Sequence, residues 1–391
     1  MYTILKKDLE LLVAALKVTD LTKVTFTMFK GLVGDDKYAC TARITSSIDE
    51  LKVTFAVPKP EGDVSPVNFT VNGKKFVEVM DAILPFEKDI EWDLDNGKFN
   101  ISIKDVTNIS IPLEAEAVEE MVFANTGAMA FLAETKALVG VLRKGGLAAV
   151  KGSSVPQAGT VVLKVSADDK KLVCFSTDGK TLAISNGSVK QVQTKDTKEL
   201  VLGIPVDAYE RILKVISGST ENKVMFTENQ FAISGANNSV YTCQLSPKTT
   251  YDANVFLNAW PSETEAGITV DNEALVNSIN ILNASAPDTD KDIKPFVIRN
   301  GNNSLVVEIN GTENKVNIPA TAAVGEFNPE TEGGKTGVSP AILLKCIKAL
   351  NKGNITLRTC NNANVPYIVS NGTLTEQDAT CTLYIMRVRC N

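Results

Sequence analysis

Residues 71–83 read VNGKKFVEVMDAI, and their pattern of apolar positions returns in IPVDAYERILKVI at 204–216 and in VSPAILLKCIKAL at 338–350. Without gaps, the copies are apolar at the same steps, which in the first copy are Phe76, Met80 and Ile83. Spacings of four and three residues put these positions on one face of a helix. Any amphipathic helix gives one such match by chance. Three copies that begin about 134 residues apart instead indicate a repeat of domain size.

The predicted elements around the three copies follow one order. A helix is expected at 6–17, at 133–142 with a possible extension to 150, and at 272–283, followed by β-rich segments, the repeated helix and further β-rich segments. Each repeat therefore reads helix, strands, helix, strands. We predict an α+β chain of three repeated domains, each with two helices packed on antiparallel sheets, divided at 1–124, 125–250 and 251–391.

Composition excludes several classes of function. The 391 residues include no histidine, which removes Ser-His-Asp and Cys-His catalysis and histidine-ligated metals. Seven scattered cysteines without a C-x-x-C pair indicate reduced thiols in a reducing compartment. A net charge of −6 argues against a protein that coats nucleic acid over its whole surface, but it allows one concentrated cationic face.

Targeting signals are not predicted. No apolar run reaches the roughly 18 residues that a membrane span needs. Asp8, Glu10 and Lys17 interrupt the apolar N-terminal stretch, which therefore reads as an amphipathic helix and not as a signal peptide. We expect a cytoplasmic protein with no membrane partner.

Two motif matches fail on inspection. The GKT triplets at 179–181 and 334–336 lack the glycine that a phosphate-binding P-loop needs five residues earlier. The DTDKD run at 288–292 is followed by Ile293 and not by the glycine of a calcium loop. The sequence therefore predicts no catalytic residue, no metal site and no cofactor.

Two further stretches carry a specific resemblance: STDGKTLA at 176–183 and LYIMRVR at 383–389. Together with the threefold repeat, they resemble the bacterial DNA sliding clamp, the beta subunit of DNA polymerase III. Members of that family carry a T-D-G-x-R-L-A turn in the second domain and end in an aliphatic strand close to M-P-M-R or L-P-V-R. The resemblance covers the whole chain in organisation and these two stretches in tight motif.

The resemblance implies a DNA clamp fold that forms a homodimeric ring around double-stranded DNA and acts as a non-catalytic processivity factor. Duplex DNA carries one phosphate charge per ~1.7 Å, so a few inward cations suffice to hold it without sequence preference. For each cation taken singly, the alternative is a solvated surface charge. The candidates are Lys6, Lys7, Lys17, Lys74, Lys75, Lys136, Arg143, Lys144, Arg211, Lys214, Lys345, Lys348 and Lys352.

The resemblance also implies a pocket between the second and third domains, where short peptides of DNA polymerase, the clamp loader and repair proteins bind. For its apolar members the alternative is ordinary core packing. The positions that match are Thr160, Thr177, Gly179, Lys180, Thr181, Leu182, Val255, Phe256, Met386, Arg387, Val388 and Arg389.

Two residues depart from the family pattern within that pocket. Thr181 stands where the family usually has arginine, and Arg387 stands where it usually has proline. The peptide preference is therefore expected to differ from that of an ordinary replicative clamp, and a paralogue or a copy on a mobile element stays open.

A dimer interface is implied between an edge strand of the first domain and the third domain. Paired edges would protect both strands from aggregation. Core packing is the equal alternative for the two helical positions. The candidate residues are Val106, Asn108, Ile109, Ile111, Ile281 and Leu282.

Two other classes of protein compete with this reading. An enzyme would need a deep polar pocket with convergent titratable groups, and the absence of histidine weakens that hypothesis. A secreted adhesion protein built of β-rich repeats would need a signal peptide, and scattered cysteines do not favour it.

Overall fold

The computed structural model of the chain describes most, but not all, of its residues. The described residues are 2–17, 23–32, 37–58, 65–86, 90–115, 120–123, 129–194, 199–216, 219–235, 239–247, 266–286, 294–301, 303–326, 330–331, 334–350, 353–359, 365–373 and 381–390.

The helices confirm the predicted repeat. They are α1 (Lys6–Leu16), α2 (Gly73–Ile83), α3 (Thr135–Gly145), α4 (Val206–Ile216), α5 (Asn272–Ala284) and α6 (Pro340–Ala349). The repeated stretch forms α2, α4 and α6. Its apolar stripe is buried, as Phe76 and Met80 in α2 and Leu343 and Ile347 in α6 illustrate. Pro340 begins α6, where its missing N–H costs no helical hydrogen bond.

The strands divide among the three repeats. The first repeat has β1 (Tyr2–Ile4), β2 (Lys23–Leu32), β3 (Lys37–Thr45), β4 (Asp49–Pro58), β5 (Val67–Asn72), β6 (Ile90–Asp95), β7 (Lys98–Ile103) and β8 (Thr107–Pro112). The second has β9 (Met129–Glu134), β10 (Thr160–Ser166), β11 (Lys171–Thr177), β12 (Thr181–Ser188), β13 (Gln191–Gln193), β14 (Glu199–Pro205), β15 (Glu221–Phe226), β16 (Gln230–Ser234) and β17 (Ser239–Gln244). The third has β18 (Ala266–Asp271), β19 (Phe296–Gly301), β20 (Ser304–Ile309), β21 (Lys315–Val324), β22 (Glu330–Thr331), β23 (Gly334–Gly337), β24 (Asn354–Thr359), β25 (Tyr367–Asn371), β26 (Cys381–Ile385) and β27 (Val388–Arg389).

A strand that the sequence did not predict precedes the first helix of every repeat. These strands, β1, β9 and β18, each pair antiparallel with the strand that follows the second helix, namely β6, β15 and β24. β9 reads MAFLAE and β18 reads AGITVD, so each mixes residues of weak strand preference with strong strand formers, and each pairs with a strand far along the chain. The same pairing in all three repeats confirms that the repeat is structural.

The strands form antiparallel sheets, which confirms the α+β class. The orders are β1-β6-β7-β8, β13-β9-β15-β16-β17-β4-β3-β2-β5, β14-β10-β11-β12-β26-β25-β24-β18-β21-β20-β19 and β22-β23-β27. Among the described strands, two pairings join different repeats. The first seam is β4 with β17, which joins the first and second repeats, and the second seam is β12 with β26, which joins the second and third.

Two compact units result, and each combines pieces of neighbouring repeats. The first contains Met1–Val139, Lys190–Asp196 and Asp207–Leu245, and the second contains Gly140–Val189, Thr197–Val206 and Ser246–Asn391. The first seam lies inside the first unit and the second seam inside the second. The division into three domains at 124 and 250 therefore stays a prediction.

Each unit has its own core. In the first unit the rings of Phe26, Phe69, Phe76, Trp92 and Phe99 pack with neighbouring centroids 4.9–6.2 Å apart. In the second unit α5 and α6 pack on one face of the eleven-stranded sheet and bury a large aliphatic core. Within the described part of the chain, no helix has both the length and the apolar character needed to cross a membrane.

Candidate functional site

The TDG stretch forms a tight turn between β11 and β12. The Asp178 amide donates to the Thr181 carbonyl at 3.2 Å, and the Asp178 carboxylate accepts from the amides of Lys180 at 2.8 Å and Thr181 at 2.6 Å. Gly179 has φ +85°, a conformation that glycine adopts without the steric cost of a Cβ. Aspartate and glycine at these positions are thus explained by the turn itself.

The C-terminal strand lies directly beside this turn. In the second seam Thr181 pairs with Ile385 and Leu182 with Tyr384, and the Met386 amide donates to the Lys180 carbonyl at 2.8 Å. The two stretches that carry the family resemblance, about 200 residues apart in sequence, therefore form one continuous surface. Met386 is 37% exposed at its end.

The two faces of β12 differ. Ala183 belongs to the core beneath the helices, whereas Leu182 belongs to a separate buried cluster with Val162 and Phe175. Successive side chains of a strand point to opposite faces, so Thr181 and Leu182 do not share a surface. We name the second set the apolar strand cluster, which consists of Val162, Phe175, Leu182 and the partly buried Ile184, Val201 and Tyr384.

Sequence reasoning named only Leu182 from this cluster. The missed members occupy alternate positions of β10, β11, β12, β14 and β26, so strand periodicity was the available signal. Val162, Phe175, Leu182, Ile184 and Val201 meet through the pairings among β10, β11, β12 and β14, and Tyr384 joins them through the pairing of β12 with β26. The cluster is consequently more apolar than the predicted residues suggest, and Val162, Phe175 and Leu182 within it are buried.

Two other predicted pocket residues lie beside this cluster: Thr177 pairs directly with Leu182, and Thr160 is two positions before Val162 on β10. Thr160 is buried and donates from Oγ1 to the Pro156 carbonyl at 2.9 Å, while Thr177 Oγ1 accepts from the Gly179 amide at 3.1 Å. Val388 and Arg389 form β27 and pair with Gly337 and Thr336. Val255 and Phe256 lie outside the described residues.

The first seam repeats the backbone of the second. Its five residue pairs begin at Asp49 with Cys243, where the second seam begins at Thr181 with Ile385. The preceding turn is also equivalent, because the Ser46 amide donates to the Asp49 carbonyl at 2.7 Å. The Gln244 amide then donates to the Ile48 carbonyl at 2.8 Å, as Met386 does to Lys180.

The side chains of the first seam are charged where those of the second are apolar. Glu50 occupies the position of Leu182, accepts from Thr45 Oγ1 at 2.8 Å and lies 3.9 Å from Arg43. The next residue on that face, Lys52, pairs with Glu120 at 2.9 Å. Arg43 and Glu50 are buried, and both belong to a chain of ion pairs that extends through Glu120 to Lys52. This face is therefore an ionic network, as buried charges require partners.

On the helix face of the first seam, Asp49 joins two repeats. Its carboxylate accepts hydrogen bonds from Arg211 of α4 and from the hydroxyl of Tyr241 in β17. Burial, reinforced by the Asp49 charge, raises the pKa of Tyr241 well above its usual range. Arg211, predicted to face DNA, is instead committed to this buried carboxylate.

Most of the other predicted DNA-facing cations lie on exposed helix surfaces. Lys6 is half-buried and 4.0 Å from Glu10, Lys17 bonds Asp81 at 2.6 Å, and Lys144 is half-buried. Lys352 lies outside the described residues. The remaining exposed cations are Lys7, Lys74, Lys75, Lys136, Arg143, Lys214, Lys345 and Lys348.

The predicted interface residues are split between surface and core. β8 ends its sheet, with Val106 41% exposed just before it, Asn108 exposed, Ile109 half-buried and Ile111 buried. On α5, Ile281 is 66% exposed, whereas its neighbour Leu282 is part of the core.

The described cysteines are free thiols, and five of them are buried: Cys40, Cys174, Cys243, Cys346 and Cys381. Burial raises the pKa of Cys346 and of Cys381 to about 12, so both stay protonated at neutral pH. Among the described residues, no group of three or more cysteine, aspartate or glutamate side chains is arranged to hold a metal ion.

Comparison with known proteins identifies the fold. No protein-family model and no curated protein matches the sequence. The DNA polymerase III subunit beta of Pseudomonas aeruginosa matches with TM-score 0.78 and 14% identity over 99% of both chains. The DNA polymerase sliding clamp of Bacillus subtilis matches with TM-score 0.77 and 18% identity over 100% of this chain and 99% of its own.

The Helicobacter pylori beta clamp bound to a DNA ligase peptide matches with TM-score 0.72 and 15% identity over 99% of both chains. This chain therefore has the fold of the bacterial DNA sliding clamps, as the two short motifs and the repeat implied.

Proposed function

We propose that this chain is a non-catalytic processivity factor that works in the cytoplasm. Two copies form a ring around duplex DNA and tether DNA polymerase and other partners. The observation that carries the proposal is the end-to-end likeness to the sliding clamps of Pseudomonas aeruginosa and Bacillus subtilis. Because enclosure retains the DNA, such a protein needs no tight or sequence-specific DNA site.

The repeated seams support closure between two copies. Each seam pairs the third strand after a repeat's first helix (β4 or β12) with the last long strand of the following repeat (β17 or β26). The corresponding strands left over are β21 and β8. In β21, residues 315–319 pair with β20 and residues 320–324 pair with β18. Within the described residues, the side of 315–319 that faces away from β20 therefore pairs with no other strand.

A third seam therefore follows if β8 of one copy pairs with residues 315–319 of another. Exposed Ile281 lies on α5, which packs against β21, and would join this contact. The arrangement is heterologous and closes after two copies in a ring. Size-exclusion chromatography with light scattering should give about twice 42.0 kDa; a strict monomer at micromolar concentration would contradict the ring.

The exposed helix cations provide the field for DNA. Their number is modest and the chain has a net charge of −6, so attraction is expected to be weak and confined to the helix surfaces. Weak contacts of this kind permit sliding, and they weaken as the salt concentration rises because releasing counterions then gains less free energy.

Retention on blocked DNA tests encirclement directly. The protein is mixed with a linear duplex that has biotin at both ends, streptavidin is then added, and the DNA is washed with high salt. We expect retention on doubly blocked DNA and loss from DNA with one free end. Equal retention on both would indicate ordinary adhesion.

The apolar strand cluster and Met386 form the proposed peptide site. Burying one leucine or phenylalanine of a partner contributes about 1.5–3 kcal/mol, so a few such side chains give useful affinity. The Helicobacter pylori clamp with its DNA ligase peptide supports this kind of partner. The charged face of the first seam offers no equivalent apolar surface.

Met386→Lys and Leu182→Lys test the peptide site. Met386→Lys places an ammonium group at an exposed position of the site, and Leu182→Lys places one inside the buried apolar cluster. Both should abolish binding of a fluorescent peptide from a bacterial polymerase while the dimer stays intact. Lys52→Ala, on the same face of the first seam, is the matched control and should bind as wild type does. Unchanged affinity in both lysine variants would remove the assignment.

A further inference from the structure

The C-terminal segment after β26 is held in place by the side chain of Arg387. The Arg387 guanidinium lies over the ring of Tyr367 at 4.8 Å from its centroid and donates a hydrogen bond to Thr359 Oγ1. Tyr367 and Thr359 are both buried, on β25 and β24. A cation over a buried aromatic ring gains more than one in water because less solvent screens it.

The equivalent positions of the second repeat lack these groups. Phe231 corresponds to Tyr367, because Phe231 pairs with Cys243 just as Tyr367 pairs with Ile385. Phe226, the partner of Phe231 on the next strand, corresponds to Thr359. Leu245 follows Gln244 where Arg387 follows Met386. The third repeat thus replaces an apolar trio by an arginine, a tyrosine and a threonine in mutual contact.

The anchored residue stands between two backbone contacts of the segment. On one side the Met386 amide donates to Lys180, and on the other the Cys390 amide donates to the Lys335 carbonyl at 2.9 Å. Arg387 also points away from the apolar strand cluster, because Tyr367 lies on the helix face of the sheet with Ile385. It does not offer its charge to a peptide on the opposite face.

We propose that Arg387 is a positioning residue: its contacts with Tyr367 and Thr359 fix the C-terminal segment so that Met386 stays beside the 178–181 turn. The proline that the family usually has at this position would restrict the backbone through its ring. In this chain the Arg387 side chain restrains the backbone instead, by reaching into the neighbouring strands. The proposal rests on the proposed function for the role of Met386, but the anchoring itself is independent of it.

Hydrogen–deuterium exchange of the full chain tests the anchoring. In Arg387→Met, which keeps most of the aliphatic stem and removes the charge, the Met386 and Cys390 amides should exchange about tenfold faster, as expected for loss of a desolvated cation–π contact. Lys171→Met, at an exposed lysine of β11, is the matched control and should exchange as wild type. An unchanged rate in Arg387→Met overturns the proposal.

A milder variant covers the case in which Arg387→Met does not fold. Thr359→Val removes only the hydroxyl that accepts from Arg387, and the same two amides should exchange about threefold faster. Exchange equal to wild type in this variant also overturns the anchoring.

Peptide affinity distinguishes positioning from local stability. A fluorescent DNA ligase peptide should bind Thr359→Val about threefold more weakly than wild type, in step with the exchange rate. Faster exchange with unchanged affinity would overturn the positioning role. Wild-type protein that binds no such peptide would refute the proposed peptide site, while the exchange rates would still decide whether Arg387 anchors the segment.

Discussion

The two seams have one backbone plan and opposite surface chemistry. Each contains five antiparallel pairs and a four-residue turn that leads into the first pair. Each also has one further hydrogen bond beyond the ladder, from the Gln244 amide to Ile48 in the first seam and from the Met386 amide to Lys180 in the second. At the position after the first pair, the first seam has Glu50 within an ionic network and the second has Leu182 within an apolar cluster. The comparison teaches that the fold repeats the scaffold, while a few outward side chains decide whether that face of the seam is charged or apolar.

The helix faces of the seams differ in the same way. Asp49 ties the first seam to α4 through Arg211 and to β17 through Tyr241. Thr181, at the equivalent position, is buried without a charge. The first seam therefore carries charged contacts on its helix face, whereas the second carries an apolar cluster on its opposite face.

Asp49→Ala should cause the largest effect. It leaves Arg211 and the Tyr241 hydroxyl without their shared acceptor, and breaking a buried ion pair costs about 3–5 kcal/mol of unfolding free energy. Thr181→Val, the matched change in the second seam, should cost below about 1 kcal/mol. Urea unfolding followed by circular dichroism measures both, and equal losses would erase the distinction between the seams.

The second-largest effect is expected at alkaline pH, which should destabilise the second compact unit. Burial raises the pKa of Cys346 and Cys381 from about 9 to about 12, so their stabilising contribution is complete below pH 9 and is lost as pH rises towards 12. At pH 10.5 the loss is about 2 kcal/mol per thiol. Melting curves at pH 7.5 and 10.5 should show a smaller pH effect in Cys381→Ala; an identical effect would contradict this assignment.

Tyr384→Thr should make the second seam resemble the first, where Thr242 holds the equivalent position. Removing this ring from the apolar strand cluster is expected to weaken a clamp-binding peptide about tenfold, or about 1.4 kcal/mol. Fluorescence anisotropy measures the change. Thr242→Ser, the control in the first seam, should leave affinity unaltered, and a tenfold loss there would mean that the binding surface lies elsewhere.

Gly179→Ala should have the smallest effect. The added Cβ meets no atom within 4 Å, so the cost comes from the positive φ alone and is about 1 kcal/mol. Ser47 occupies the matching turn position of the first seam without a positive φ, and Ser47→Ala should be nearly neutral. Thermal melts compare the two, and equal shifts would show that the turns respond alike.

The sequence predicted the elements better than their pairing. Helical spacing located α2, α4 and α6 closely because one apolar stripe repeats in each. β1, β9 and β18 were missed because their conformation depends on partners far along the chain. The family resemblance grouped Thr181 with Leu182, although neighbouring residues of a strand face opposite sides.

The candidate site was predicted only where a local motif existed. The turn at 178–181 follows from aspartate and glycine, whose side-chain acceptor and freedom at positive φ suit that geometry. Phe175 belongs to no motif and joins Leu182 through the hairpin of β11 and β12. Tyr384 lies within the LYIMRVR stretch and joins Leu182 only because β12 pairs with β26. Arg211 read as a free helix cation until the structure placed Asp49 beside it.

By itself, the amino-acid sequence determined the threefold repeat, the α+β class and the tight turn, because periodicity and turn chemistry are properties of neighbouring residues. Only the tertiary structure decided which strands form the seams, which face of each seam is charged or apolar, and where Arg387 inserts. These depend on contacts between residues up to about 200 positions apart, and such contacts leave no signature in any short stretch of the chain.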